Sequence, residues 1–304
     1  MNFLRQYSIL FGIPGQIGTE ISSVGVNRPL HVNFSLEKAD TESSNTGRLQ
    51  ISNLNSEHKA LLSEDKCVVE IKAGYSDTLG TIFIGGVANP SETLNNADRI
   101  LEVELVDGLS SYDAIGTMSI SGVITGDKIL SELQKQMGIE SSIITEKASA
   151  LLRTAKYSNG YCSVGKRKAA LQSLMEKAGV NYSLQNGVLQ VFCQGEAITT
   201  KAYKISAETG LINIPKKISI TQTTASKSGS GKVSAAGSAS SDSSNGIPGY
   251  EIEYLINGAI GINDLVQVES RNLNGIFRVK KQSYSGDNYS GDWKCTAQIV
   301  EVVA

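Results

Sequence analysis

Two stretches of the sequence, 65–106 and 264–303, repeat one pattern of strands and turns. Each begins at an aspartate, continues as an alternating strand, turns at a glycine into an Ile-Phe segment, and ends after a polar loop in a strand containing Val and Glu. Alternating apolar and polar side chains are typical of half-buried strands, and Asn, Asp and Gly supply the positive φ angles of hairpin turns. Any two meanders share the alternation, but here the turn spacing agrees as well, which favours a duplicated β-domain.

The region around the first repeat forms a β-domain, which we place at residues 1–107. Pro14 and nearby glycines indicate a turn or extended loop after the first strand, and Asn55 or Ser56 caps a short helix. The predicted strands are 3–11, 30–36, 48–52, 66–74, 80–88 and 99–106, with the helix at 56–62. Many strands, regular turns and little helix favour a small barrel or sandwich.

The middle third, 108–204, changes to a helical period. Apolar residues recur at helical spacing in Asp127–Met137 and in Lys166–Ala178, and a glycine follows each segment. The dipeptide Asn186-Gly187 joins two alternating runs and predicts a two-residue type I′ hairpin. We therefore predict a small inserted α+β domain with two helices and this hairpin, and leave 141–164 unassigned.

Strand patterning resumes at residue 205 and predicts a second β-domain at 205–304, with strands at 211–214, 217–223 and 250–256 before the final meander. Segment 224–246 consists mostly of Ser, Gly and Ala, a composition that buries too little apolar surface to offset the entropy of ordering. The expected fold is mainly β with a small α+β insertion: two similar β-barrel domains flank a middle α+β domain.

Composition argues against several classes of protein. With 28 Lys and Arg against 30 Asp and Glu, the charge is nearly balanced, so no strongly basic surface for nucleic acid or membrane is expected. There is no run of about 18 apolar residues to span a membrane, and the N-terminal residues lack the apolar block of a signal peptide. Four cysteines without a CxxC pair argue against disulfides and a zinc site, and fit folding in the cytosol.

Residues that could carry chemistry are few. His31 and His58 have no second His or Cys at metal-ligand spacing, so surface or structural roles are expected. The nucleophile motif G-x-S-x-G is absent from the sequence. Segment 228–232 (SGSGK) faintly matches a phosphate loop, but Val233 follows it instead of Ser or Thr and no helix is predicted there, so we interpret it as linker.

Acidic pairs and basic runs in the sequence also have structural explanations. Asp287 and Asp292 share a turn, where aspartates serve backbone geometry, and Glu102 and Glu104 alternate along the solvated face of a strand. The run 166–168 (KRK) begins a predicted helix. We therefore predict no catalytic, cofactor-binding or metal-binding residues.

Three parts of the chain carry features of a known family: 66–87, the inserted helices with their hairpin, and 275–298, which reads GIFRVKKQSYSGDNYSGDWKCTAQ. The last part contains a G-x-[FY]-R-V strand followed by a G-D-x-x-x-G-D-W turn. These features resemble the late control protein D-like baseplate hub proteins of tailed phages and related contractile injection systems. Tyr284 and Ser290 stand where much of that family has His and Gly, and segment 224–246 has no counterpart.

The resemblance implies a structural virion protein, not an enzyme, with two tube-like barrels in each subunit of a homotrimer. Six similar units then form a ring that matches a hexameric tail tube on one side and a trimeric spike on the other. The implied partners are the tube or tube-initiator protein, the spike, other baseplate (wedge) proteins and phage DNA, which passes through the lumen without specific binding. Neither a cofactor nor membrane insertion is expected, and the implied location is the virion tail baseplate, assembled in the host cytoplasm.

Two other functions remain open from the sequence. A hub-associated peptidoglycan hydrolase would need an acid/base pair or a metal-bound water, and no such cluster is predicted. A carbohydrate-binding β-module would present clustered aromatic side chains, whereas the chain has one Trp.

Overall fold

The computed structural model describes residues 4–220 and 246–302, so nearly all of the Ser/Gly-rich segment lies outside the described residues. The fold is mainly β with a helical insert, as predicted. None of the described helices has the length and apolar composition needed to cross a lipid bilayer.

The N-terminal half, residues 5–106, follows the predicted pattern with two differences. Its elements are β1 (Arg5–Gly12), β2 (Thr19–Ser22), β3 (Val32–Ala39), β4 (Thr46–Ser52), α1 (Ser56–Leu62), β5 (Val68–Tyr75), β6 (Gly80–Asn95) and β7 (Asp98–Val106). Asn55 caps α1 by accepting a hydrogen bond from the His58 N–H at 2.8 Å, as predicted. Strand β2 is not predicted, and β6 extends beyond its predicted end because it pairs with β7 almost to the hairpin turn.

The insert, residues 109–192, packs around its own hydrophobic core. Its elements are α2 (Leu109–Asp113), β8 (Ile115–Ile120), β9 (Ile124–Thr125), α3 (Gly126–Met137), β10 (Ser141–Ile144), α4 (Glu146–Thr154), β11 (Lys156–Tyr157), β12 (Tyr161–Lys166), α5 (Arg167–Ala178), β13 (Asn181–Gln185) and β14 (Val188–Phe192). The two predicted helices are α3 and α5, which end at Gly138 (φ 65°) and Gly179 (φ 71°) in the left-handed conformation. Helix α4 lies in the unassigned region, and the short α2 is not predicted.

The C-terminal half, residues 202–301, contains β15 (Ala202–Ser206), β16 (Lys216–Ile220), β17 (Ile247–Leu255), β18 (Leu265–Glu269), β19 (Asn274–Asp287) and β20 (Trp293–Glu301). The predicted strand at 211–214 is wrong, since Leu211 makes an isolated bridge to Tyr254 there. The final meander is confirmed as β18, β19 and β20, paired in that order.

The strands of the two halves form one continuous sheet. Its order is β16-β17-β20-β19-β3-β4-β7-β6-β5-β1-β2, and β18 pairs with both β19 and β15 off this path. Buried side chains from both halves make up a single hydrophobic core. The predicted boundaries at residues 107 and 205, and the closure of each half into its own barrel, remain predictions.

Both halves use one strand order. Leaving β2 aside, the neighbouring strands of the N-terminal half run β1-β5-β6-β7-β4-β3, and those of the C-terminal half run β15-β18-β19-β20-β17-β16. In each half the first, fourth, fifth, sixth, third and second strands therefore lie side by side in that order. The pairing of strand five with strand six carries a one-residue bulge in both halves, at Ala88/Ser91 of β6 and at Val279/Lys281 of β19. The halves differ in that β1 runs antiparallel to β5 while β15 runs parallel to β18. The shared order and bulge support the duplication inferred from the sequence.

The Asn186-Gly187 hairpin attaches the insert to the N-terminal half. Both residues have positive φ, 53° and 78°, as the predicted turn requires. The Asp107 carboxylate accepts hydrogen bonds from both backbone N–H groups, at 2.6 and 3.2 Å. Asn186 Oδ1 accepts bonds from the Ile84 N–H and from Nζ of the buried Lys38. Burial lowers the pKa of Lys38 to about 8 and raises that of Asp107.

We expect Lys38→Met to change the pH dependence of stability. The folded-state pKa of Lys38 lies below its ordinary value, so between about pH 8 and 10 the unfolded chain binds more protons and stability rises with pH. Urea unfolding at pH 7.5, 8.5 and 9.5 should show wild type gaining on the order of 2 kcal/mol relative to Lys38→Met across that range. A constant difference between the two proteins would contradict the buried-lysine account.

Candidate functional site at the junction of the two halves

Strand β3 of the N-terminal half pairs antiparallel with β19 of the C-terminal half. The paired residues run from Ala39 opposite Lys281 to Asn33 opposite Asp287. This part of β19 lies beyond the bulge, whereas β18 pairs with the part before it. We call the β3–β19 pairing and the side chains around it the junction. It is where the two repeats become one sheet.

The Gly286–Trp293 turn closes one end of the junction and is the hairpin connection predicted from the sequence. Asp287 Oδ1 accepts hydrogen bonds from the backbone N–H groups of Tyr289 and Ser290 at 2.8 and 2.9 Å. The Asp287 N–H donates to the Asp292 carbonyl at 2.9 Å, and Gly291 supplies a positive φ of 87°. The aspartates thus serve backbone geometry, as predicted.

The same turn binds the N-terminal half through side chains that no sequence motif links to it. Arg5 donates to the carbonyls of Asp287 (2.6 Å) and Gly291 (2.9 Å). His31 Nε2 lies 3.1 Å from Asp287 Oδ1, and its ring stacks on Tyr289 with centroids 4.7 Å apart. Asn288 Oδ1 accepts from the backbone N–H of β3 residue 32 at 2.7 Å. His31 therefore has a structural role at the junction.

The pKa of Asp287 is lower than that of an ordinary aspartate. Partial burial acts against ionisation, but hydrogen bonds from the Ser290 and Tyr289 N–H groups and from His31 outweigh burial. The folded state therefore prefers the charged carboxylate.

Trp293 and Phe34 form the apolar part of the junction. Their rings meet edge to face with centroids 5.3 Å apart, and Trp293 Nε1 donates to the Gly74 carbonyl at 3.1 Å. Phe34 lies over Gly286, where an added Cβ would sit 2.2 Å from its ring. Gly286 is thus required because the aromatic ring occupies the space of a side chain.

At the other end of the junction, charged side chains connect β3 and its continuation to β19. Arg278 Nη1 lies 2.8 Å from Asp40 Oδ2, and both side chains are almost fully buried. Lys281 Nζ lies 3.1 Å from Glu37 Oε2. The Asp40 N–H donates to the Lys280 carbonyl at 3.0 Å. Here the acidic side chains come from β3 and its continuation, and the basic ones from β19.

The remaining residues singled out in the sequence are not brought together. Glu102 accepts a hydrogen bond from Gln50, Glu104 from Asn89, and the His58 ring packs against Phe11. The buried Arg167 of the KRK run donates to Gly116, Gly165, Gln136 and Ser163 within the insert. Segment 228–232 lies outside the described residues. Nowhere in 4–220 and 246–302 do three His, Cys, Asp or Glu side chains meet in a group that could hold a metal ion.

Comparison with known proteins finds no matching family model and no matching curated protein. Several solved structures share the fold. The 43 kDa tail protein of prophage MuSo2 from Shewanella oneidensis superposes with a TM-score of 0.59 at 13% identity, over 97% of this chain and 98% of that one. The tail protein from Neisseria meningitidis MC58 gives 0.58 at 10% identity, over 97% and 96%.

The c3393 protein of E. coli gives a TM-score of 0.56 at 8% identity, over 92% of this chain and 76% of that one. It is described as a component of the type VI secretion system with structural similarity to the T4 bacteriophage tail proteins gp27 and gp5. This chain thus has the fold of phage tail and tail-like proteins along nearly its whole length, which confirms the predicted resemblance at the level of the fold.

We expect Gly286→Ala to destabilise the protein by about 2–4 kcal/mol, since the methyl group would overlap the Phe34 ring. Gly116→Ala is the matched control, because an added Cβ there meets its nearest atom at an ordinary 3.7 Å. Equilibrium urea unfolding measures both. Equal stability of the two variants would show that the ring does not require the glycine.

We expect Asp287→Asn to lower stability by about 1–2 kcal/mol at pH 7, because the amide is a weaker acceptor for the turn N–H groups. The lowered folded-state pKa makes the carboxylate's stabilisation complete above the ordinary aspartate pKa of about 4, and lost as pH falls below it. The exposed Asp77 provides the control variant Asp77→Asn. Urea unfolding from pH 7 to pH 3 should show the Asp287→Asn difference shrinking, and a difference that persists at pH 3 would contradict the account.

Proposed function

We propose that this chain is a structural protein of a phage-type tail, a baseplate hub that assembles as a homotrimer. The observation that carries the proposal is the repeated strand order of the two halves, joined by the junction into one sheet. Two similar halves in each of three chains supply six similar units, and head-to-tail contacts between such units can close into a ring.

The ring would join a hexameric tail tube to a trimeric spike, and other baseplate (wedge) proteins would contact its outside. The fold shared with phage tail proteins supports a place in the virion tail baseplate. Assembly in the host cytoplasm is part of the same proposal. The nearly balanced charge fits a lumen through which DNA passes without specific binding. The proposed role is structural and not enzymatic; Asp287, one of the acidic residues considered for catalysis, accepts backbone hydrogen bonds instead.

Native mass measurement of the purified chain tests the proposal. At the highest soluble concentration we expect a species with three times the mass of one chain, whose fraction falls on dilution as mass action requires. A strictly monomeric or dimeric protein over the whole concentration range would contradict the trimeric hub. Size-exclusion chromatography with light scattering provides an independent readout.

A further inference from the structure

The two strand edges that pair at the junction each have an equivalent in the other half of the chain. By strand order, the counterpart of β3 is β16 and the counterpart of β19 is β6. Within the chain, β3 pairs with the part of β19 beyond its bulge. Strand β16 pairs with β17 on one side, and β6 beyond its bulge pairs with β7 on one side. On their other sides, the described residues place no strand.

The open part of β6 is built like its counterpart in β19. Leu94 is the fourth residue after the bulge in β6, as Tyr284 is in β19, counting from Ser91 and Lys281. Tyr284, which lies opposite Leu36 of β3, is 2% exposed and donates a hydrogen bond to the Ile260 carbonyl, whereas Leu94 is 75% exposed. Residues 89–95 are all exposed in the single chain. Leu94 is thus an exposed apolar side chain at the position where β19 has the buried Tyr284.

The charges on the two open edges are the reverse of those at the junction. At the junction, Glu37 of β3 meets Lys281 of β19 at 3.1 Å. On the open edges, β16 carries the exposed Lys216 and Lys217, and β6 carries the exposed Glu92, whose carboxylate also accepts from Lys59 Nζ of the same chain at 3.0 Å. Opposite charges on neighbouring strands favour pairing and like charges oppose it. The reversal therefore favours β16 with β6, and opposes β16 with β19 or β3 with β6.

We propose that β16 of one copy pairs antiparallel with Ser91–Asn95 of β6 in a second copy, and so repeats the junction between chains. This inference rests on the trimeric hub proposed above and specifies how its subunits bind. Exposed strand edges are sites where a strand from another chain adds by backbone hydrogen bonds. Because β16 and β6 lie on different halves, the contact is head-to-tail, and three copies close it without leaving an open edge of this kind.

Charge reversal and rescue test the pairing. Lys216→Glu/Lys217→Glu and, separately, Glu92→Lys should each weaken trimer formation by about tenfold or more, because like charges then face each other. The triple variant that combines them restores opposite charges and should regain most of the trimer. Lys128→Glu/Lys156→Glu, which reverses two exposed lysines of the insert, is the matched control and should leave the trimer unchanged.

Cysteine crosslinking supplies a second readout that does not depend on charge. The background variant is Cys162→Ser, which removes the exposed cysteine. Adding Thr93→Cys and Ser219→Cys should give disulfide-linked dimers and trimers on oxidation, whereas either cysteine alone should give no linked trimer. Circular dichroism on each variant confirms that it is folded.

The outcomes separate the two proposals. A wild-type trimer that is insensitive to charge reversal, and that gives no linked species with the cysteine pair, overturns the β16–β6 pairing and leaves the trimeric hub intact. A wild-type chain that stays monomeric overturns both. Loss of the trimer on reversal, with recovery in the triple variant, supports the pairing.

Discussion

The pairing of β3 with β19 is the contact on which the rest of the structure depends. It turns two repeats, separated in sequence by the insert, into one sheet over one core. The contact joins residues more than 200 positions apart, so folding must offset a large loop-closure entropy before it forms. Side chains stabilise both ends of the β3–β19 pairing. The Gly286–Trp293 turn binds Arg5 and His31 at one end, and Arg278 binds Asp40 at the other. These side-chain contacts favour the observed register of β3 against β19.

The β3–β19 contact is made once within the chain. The equivalent edges of β16 and β6 therefore have no strand partner among the described residues. Long exposed edges are liabilities that proteins cover, shorten or charge. Here β16 carries lysines and β6 a glutamate, whereas at the junction the acidic Glu37 belongs to β3 and the basic Lys281 to β19. With the β16–β6 pairing proposed above, the two kinds of half would alternate around the ring. That arrangement suits a ring in which one side presents three-fold and the other six-fold features.

The sequence predicts the parts of this fold whose signal is local. Period-two alternation locates most strands, glycines locate the ends of α3 and α5, and Asn186-Gly187 locates its hairpin because both residues need positive φ. Helix α4 is missed because only Ala148 and Leu152 are buried, too few to show a helical period. The partners of Asp287 and Asp40 are missed for another reason: Arg5, His31 and Arg278 are brought to them by tertiary pairing, which no spacing in the sequence records.

The central claim is that each chain supplies two similar units to one ring. Cryo-electron microscopy of the assembled protein, reconstructed without imposed symmetry, tests it most directly. We predict a ring of three chains with six lobes of similar outline, in which β3–β7 superpose on β16–β20 and the sheet continues from each lobe to the next. A ring of another chain number, or one in which the two halves occupy unlike positions, would contradict it.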